Sequence, residues 1–188
     1  MDKVKINNGA LGYPMPMLLV GSVSEGKPNF MPMAWVTRVN FNPVMIAVAM
    51  GPHYTATGIR EHGEFSVNVP SVAMVAATDY CGLVSGKKQD KSGIFPVFYG
   101  DLAHAPMIES CPVTLACKLV QTVPLSTNTL FIGEVVDAYA TPDVIVNGEP
   151  DIQKVQPFML TMPDNGYWTL GAQAGQAWSI GKQFKPED

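Results

Sequence analysis

The chain alternates short apolar runs with glycine- and proline-containing turns, a pattern typical of many strands joined by tight connections. The first pair of runs predicts a hairpin, with strand Met17–Val23, turn Ser24–Lys27 and returning strand Asn29–Thr37. Proline has no backbone N–H to give to a sheet. Pro32 therefore predicts that the returning strand lies at a sheet edge or contains a bulge.

An apolar run rich in β-branched residues, Val44–Met50, follows the hairpin and is typical of a strand buried on both faces. We expect it at the centre of the sheet. Beyond it, Thr55 is placed to cap a short helix that runs to His62, and Gly63 is placed to end that helix. The segment Glu64–Val69 then predicts a further strand.

A second helix is predicted over Val72–Cys81, with Ser71 as its N-cap and Gly82 as its terminator. The next segment, Ser85–Gly93, reads SGKKQDKSG and carries three lysines. Because it is polar and glycine-flanked, we expect an exposed, flexible loop.

The second half of the chain predicts two long strands, Pro112–Thr122 and Thr129–Ala140. Turns are predicted at Asn147–Asp151 and Pro163–Gly166, between further short runs. With few helices and many short strands, the fold class is mainly β, a barrel or a sandwich.

Composition narrows the class of protein. The 188 residues are 47% hydrophobic and 15% charged, which suits one domain over residues 1–188. A net charge of -4 provides no basic surface for nucleic acid, so nucleic-acid binding is disfavoured. Uninterrupted apolar runs reach seven residues, whereas a membrane span needs roughly 20, and the N-terminal residues show no secretory signal. We therefore expect a cytoplasmic protein with no membrane partner.

Cysteine and histidine spacing does not suggest a metal site. Three cysteines cannot all pair and match no CxxC pattern, so buried reduced thiols are expected. The three histidines are dispersed and form no HExxH motif. These residues are Cys81, Cys111, Cys117, His53, His62 and His104.

Common nucleotide-binding and hydrolase signatures, GxGxxG, the P-loop and GxSxG, do not occur, so a cofactor would have to be held by several segments together. Trp35 offers a stacking surface for a planar heterocycle, or else is an ordinary core tryptophan. Gly51–Gly58 leads into a helix N-terminus that suits a phosphate, or else Thr55 simply caps the helix. The lysines of Ser85–Gly93 are placed to neutralise that phosphate, or else form a solvated loop.

Six blocks in this order, NFMPMAW, HYTATGI, EFSVNVP, CGLVSGKKQDKSG, APMIESCP and LFIGEVVDAY, closely resemble the flavin reductase-like FMN-binding family, and within it the flavoredoxin subgroup. The similarity runs from about Pro14 to Gly181. The resemblance implies a split β-barrel with a Greek-key arrangement and a few helices. It also implies a homodimer with one FMN per subunit near the dimer interface.

The resemblance further implies which residues surround the FMN; it assigns no catalytic residue. Expected along the isoalloxazine ring and ribityl chain are Asn29, Met33, Ala34, Trp35, Val36 and Thr37. Expected at the phosphate are His53, Tyr54 and Thr55, with Ser85, Gly86, Lys87 and Lys91 closing over it from the same or the neighbouring subunit. Many flavin reductases of the superfamily have a small or hydroxyl residue where this chain has Trp35, which is flavoredoxin-like.

The leading functional hypothesis is an FMN-dependent oxidoreductase that transfers electrons through bound flavin, with NAD(P)H as one candidate donor. Two alternatives stay open. One is an electron carrier that is reduced by a redox-protein partner and has no nicotinamide site. The other is a non-catalytic binding protein that has kept the barrel and lost the flavin.

Overall fold

The computed structural model describes residues 2–9 and 13–186. Its strands are β1 (Met15–Pro16), β2 (Leu18–Ser24), β3 (Lys27–Met33), β4 (Val36–Asn40), β5 (Met45–Met50), β6 (Glu64–Val69), β7 (Val97–Phe98), β8 (Met107–Ile108), β9 (Val113–Pro124), β10 (Thr129–Ala140), β11 (Ile145–Val146), β12 (Glu149–Pro150), β13 (Phe158–Leu160) and β14 (Tyr167–Thr169). The helices are α1 (Tyr54–His62), α2 (Val75–Leu83) and α3 (Ile152–Val155), with 3₁₀ turns at Val72–Met74, Pro142–Val144 and Ile180–Gln183.

A seven-stranded antiparallel sheet in the order β3-β2-β6-β9-β10-β5-β4 forms the body of the molecule. A three-stranded sheet, β1-β13-β14, lies beside it. The strand-dominated architecture confirms the mainly β class, and the long pair β9 and β10 confirms the two predicted late strands.

The first hairpin forms as predicted between β2 and β3. Glu25 and Gly26 connect the strands with φ values of 51° and 74°, the left-handed backbone that two-residue hairpin turns need. Pro32 lies on β3, at the edge of the sheet, as predicted. The returning strand does not continue to Thr37, however, because β3 ends at Met33 and the two residues Ala34 and Trp35 separate it from β4.

The prediction that Val44–Met50 is the central strand is wrong. The strand β5 lies between β10 and the edge strand β4. It is apolar because both of its faces are covered: Ile46 and Val48 belong to the main core, while Ala47 lies beside the segment 13–16. A continuous apolar run therefore indicates that both faces of a strand are buried, but it does not indicate where the strand lies within the sheet.

Helix α1 ends as predicted, since Gly63 follows it with a φ of 65°. The prediction that Thr55 caps its start is wrong. His53 is the N-cap residue, and Thr55 lies within the first turn, where its hydroxyl accepts a hydrogen bond of 2.7 Å from Asn29 Nδ2. Thr55 thus connects the helix to β3.

The second helix is displaced from its predicted bounds. Val72–Met74 form a 3₁₀ turn, α2 continues to Leu83, and Ser71 makes no side-chain cap bond. Gly82 lies inside the helix and does not end it. A Cβ there would approach Pro32 Cγ to 2.9 Å, so this glycine allows α2 to pack closely on β3.

All three cysteines are buried with free thiols, as predicted. Burial raises the pKa of Cys117 to about 12. Within the described ranges, no helix combines the length and the apolar character needed to cross a bilayer.

Candidate functional site

A small polar cavity of about 220 Å³ lies between the start of α1, strand β3 and the segment after α2. We call it the polar cavity. Its lining is Asn29, Met31, His53, Tyr54, Thr55, Cys81, Gly82, Leu83, Val84, Ser85, Gly86 and Lys91. The first turn of α1 is fixed above β2, because the hydroxyls of Ser22 and Ser24 donate to the carbonyls of Thr55 and Tyr54 at 2.9 and 3.2 Å.

Asn29, a lining residue of the polar cavity, has a buried acceptor that is not used. Its side chain is 4% exposed, and its Nδ2 is committed to Thr55. Its Oδ1 is buried and has no hydrogen-bond partner among the residues described. Since buried polar groups are normally paired, this oxygen indicates a ligand that brings a hydrogen-bond donor.

The absence of a side chain at Gly86 allows its backbone to pack closely against Asn29 and Tyr54. A Cβ on Gly86 would collide with Asn29 Oδ1 and would lie 2.7 Å from Tyr54 Cδ1. Asn29 cannot move aside easily, because its amide is hydrogen-bonded and buried. The backbone of Gly86 therefore closes the cavity in a way that a larger residue would disturb.

Lys91 is the buried cation of the polar cavity. Its ammonium donates to the carbonyls of Phe30 at 2.6 Å and Cys81 at 3.0 Å, and the residue is 5% exposed. An ammonium has three N–H donors, so one is left for a ligand. Burial lowers the pKa of Lys91 from its ordinary value of 10.5 because desolvation disfavours the charged form, and a bound anion would offset that cost.

The prediction of an exposed, flexible loop over Ser85–Gly93 is therefore wrong at Lys91, and the loop is anchored at a second point. Lys27 Nζ lies 2.6 Å from Asp90 Oδ2, and Ser92 N donates to Asp90 Oδ1. The hydrogen bonds from Lys27 and Ser92 hold the pKa of Asp90 well below its usual range. Lys87 stays exposed and lines an outer cleft beside Tyr54 and Gly86.

A larger cavity of about 540 Å³ continues from the polar cavity, with which it shares Met31, His53, Gly82 and Leu83. We call it the apolar cavity. Its other lining residues are Met17, Pro32, Met33, Ala34, Trp35, Ala49, Met50, Gly51, Asp79, Asn128, Leu160, Met162 and Tyr167. Its volume falls within the range of small-molecule sites, roughly 300 to 1,000 Å³.

Trp35 lies at the break between β3 and β4 and lines the apolar cavity. It is 46% exposed, so the alternative of an ordinary core tryptophan is wrong. Its backbone carbonyl accepts a hydrogen bond of 2.9 Å from Ala49 N, which fixes the main chain while the indole stays accessible.

A polar pair closes the far wall of the apolar cavity. Tyr167 on β14 donates to Asp79 Oδ1 on α2 at 2.7 Å. Burial, together with the hydrogen bond to Asp79, raises the pKa of Tyr167 to about 12. The phenol therefore stays protonated and ties the β13–β14 hairpin to α2.

Most residues expected around the cofactor gather in this two-part cleft. The polar cavity takes Asn29, His53, Tyr54, Thr55, Ser85, Gly86 and Lys91, and the apolar cavity takes Met33, Ala34 and Trp35. Val36 and Thr37 line a neighbouring groove beside the segment 13–16, and Lys87 lies in the outer cleft.

Sequence reasoning missed several residues of the apolar cavity. Met17, Met31, Met50, Met162, Asp79, Asn128 and Tyr167 come from segments far apart in the chain. One local signal was present for Asp79, which is a single acid within the otherwise uncharged helix VAATDYCGL. The methionines carry no such local signal, although a methionine-rich wall is typical of adaptable binding surfaces.

A strand-dominated body with a small polar cavity, a buried cation and a wider apolar cavity fits a protein that holds a planar, phosphorylated cofactor. The family model "Flavin reductase like domain" matches residues 10–152. The chain belongs to this family, as its sequence motifs predicted. Membership of the family supports a flavin cofactor.

Two solved structures and one sequence relative are similar to this chain. A flavoredoxin from Methanosarcina acetivorans is 52% identical with a TM-score of 0.94, covering 97% of this chain and 98% of that one. A flavoredoxin of Desulfovibrio vulgaris (Miyazaki F) is 33% identical with a TM-score of 0.87, covering 95% and 100%. An uncharacterized protein of Archaeoglobus fulgidus is 34% identical over 143 residues, covering 74% of this chain and 80% of that protein. These similarities confirm the split barrel and the likeness to flavoredoxins.

Proposed function

We propose that the chain binds FMN across the two cavities and transfers electrons through it. The observation that carries this proposal is the pairing, in the lining of the polar cavity, of a buried ammonium with an unpartnered buried amide oxygen. Lys91 supplies a charge-assisted donor for the phosphate. Asn29 Oδ1 supplies an acceptor for a ribityl hydroxyl, and the apolar cavity receives the ring.

FMN supplies hydride and single-electron chemistry when bound, and that chemistry needs no acid or base from the protein. The chain's own residues bind, orient and exclude water. Lys91 and the first turn of α1 hold the anionic end, while Trp35 and the methionine side chains exclude water from the ring.

Two versions of this function differ in the electron donor. In one, NADH or NADPH reduces the flavin and the chain is an enzyme. In the other, a redox protein does so and the chain is a carrier, a version supported by its likeness to two flavoredoxins. The alternative of a flavin-free binding protein is opposed by the buried ammonium and orphan oxygen, which such a protein would not need.

The test is reconstitution of the purified protein with FMN, FAD or riboflavin, followed by anaerobic mixing of the holoprotein with NADH and NADPH. We expect a yellow protein that prefers FMN. Bleaching by a pyridine nucleotide assigns the reductase version; bleaching by photoreduction but by neither nucleotide assigns the carrier version. A colourless protein after FMN addition contradicts the proposal.

We also propose that the chain works as a homodimer. An apolar groove of about 880 Å³ opens beside β4 and β10, and its lining includes Leu18, Val36 and Leu115 of the main core. Open apolar surface of this kind marks an interaction site.

Light scattering on the wild-type protein and on Val136→Glu tests the dimer. Val136 lines the groove and is 41% exposed, whereas Val120 is 54% exposed and lies outside the groove lining. We expect Val136→Glu, but not the control Val120→Glu, to yield monomers. A wild-type mass near 20.3 kDa with FMN bound contradicts the dimer.

A further inference from the structure

The apolar cavity has a single acidic side chain in its wall. Asp79 reaches the cavity from α2, and its neighbours there are uncharged apolar groups such as Gly82, Leu83 and Leu160. No lysine or arginine belongs to the described lining. Besides the His53 imidazole and the Tyr167 phenol, Asp79 is therefore the ionisable side chain of the described lining that a second ligand beside the flavin would meet.

The hydrogen bonding of Asp79 leaves it able to accept more. Among the residues described, its side chain receives one hydrogen bond, from the Tyr167 hydroxyl to Oδ1. A carboxylate has two oxygens and about four acceptor positions. The Tyr167 bond fixes the orientation of the carboxylate while acceptor positions stay available to a ligand.

We propose that Asp79 sets the charge preference for the ligand that enters the apolar cavity with the flavin, favouring cationic or N–H-donating aromatic rings and excluding anionic ones. This inference rests on the proposed function, in which the bound flavin would form one wall of the remaining space. A carboxylate in a cavity of low polarity attracts a cation, and repels an anion, far more strongly than it would in water.

Because the walls of the apolar cavity are rich in methionine, we expect them to select ligands by charge more than by shape. Met17, Met31, Met33, Met50 and Met162 all line the cavity, and their unbranched side chains adapt to rings of different outline. Shape is therefore specified weakly, and exclusion of a wrong partner falls to the like charge of Asp79. The phosphates of a pyridine dinucleotide would have to lie outside this cavity.

The test uses three probes of matched size, benzamidine as a cation, benzamide as a neutral donor and benzoate as an anion. Each is titrated into the FMN-loaded protein and followed by the flavin absorption spectrum. For wild type we expect benzamidine to bind at least about tenfold more tightly than benzoate, with benzamide between them. In Asp79→Asn the same three affinities should fall within about threefold of one another.

Two further variants separate charge from structure. Tyr167→Phe keeps the carboxylate and should keep the order of affinities. Glu109→Gln removes an exposed acid outside the cavity lining and should change nothing. An unchanged order in Asp79→Asn, or no order in wild type, overturns the inference while FMN binding still stands. A protein that stays colourless after FMN addition removes both the proposed function and this inference.

Discussion

The polar and apolar cavities differ in how firmly their walls are held. Around the polar cavity, Asn29 is hydrogen-bonded to Thr55, Lys91 to two carbonyls, and Gly86 has no space for a side chain. Around the apolar cavity, five methionines and the half-exposed Trp35 contribute few hydrogen bonds. The contrast teaches that one end of the cleft is built to hold one specific group, whereas the walls of the other can adapt to ligands of different outline.

A large effect on FMN affinity is expected where the polar cavity has no spare room. Gly86→Ala forces its new Cβ against Asn29 and Tyr54, and overpacking of this kind should weaken FMN binding by about 10- to 100-fold. Fluorescence titration with FMN measures the change. Gly93→Ala is the matched control in the same loop, because a Cβ there meets nothing within 4 Å. Equal affinities in the two variants would contradict a tightly built polar cavity.

The second prediction uses pH to separate the contribution of the polar cavity to flavin binding from that of the apolar cavity. Protonated Lys91 binds phosphate and neutral Lys91 does not, so FMN affinity should fall as the pH rises through the lowered pKa of Lys91. Loss of one proton corresponds to a decrease of up to about tenfold per pH unit. Titrations with FMN and riboflavin at each pH measure the difference. Riboflavin lacks the phosphate and serves as the control, and a parallel decline of both ligands would remove Lys91 from the phosphate site.

Trp35→Ala examines the apolar end. Loss of an aromatic contact worth about 0.5 to 1.5 kcal/mol should weaken FMN and riboflavin alike by roughly 2- to 12-fold. Because Trp35 is 46% exposed, Tm should change little. Flavin titration and thermal melting of the apoprotein measure the two effects. A lower Tm with unchanged flavin affinity would show that Trp35 supports the fold and does not contact the ring.

The smallest effect is expected for Lys87→Ala. The sequence places Lys87 and Lys91 in one cationic loop, but Lys87 is exposed, and a solvated charge contributes about 1 kcal/mol or less. FMN affinity should fall by less than about fivefold, and by less still at high salt. Titrations at low and high ionic strength decide this. A loss as large as that expected for Lys91 would mean that the loop closes further over the phosphate than the described conformation shows.

The sequence was sufficient for features that depend on neighbouring residues. The β2–β3 turn, the glycine at the end of α1, the strand Glu64–Val69 and the two long late strands all follow from local patterns. The residues expected at the phosphate could be named because six ordered motifs resemble one family.

The remaining features depend on contacts between distant segments. The segment SGKKQDKSG is polar throughout, and nothing in it separates Lys91 from Lys87; the difference comes from the carbonyls of Phe30 and Cys81. Asp79 and Tyr167 meet across 88 positions. Such pairings are set by the packing of α2 and the β13–β14 hairpin, for which local periodicity carries no signal.

The most direct test is the ratio of riboflavin to FMN dissociation constants, measured for wild type and for Lys91→Met. Methionine has a similar volume to lysine but carries no charge. Because FMN and riboflavin share the same ring, the contribution of the ring to binding cancels in the ratio. A charge-assisted bond is worth about 1.5 to 3 kcal/mol, so the ratio should fall by roughly 10- to 150-fold in the variant. An unchanged ratio would contradict the assignment of the polar cavity to the phosphate.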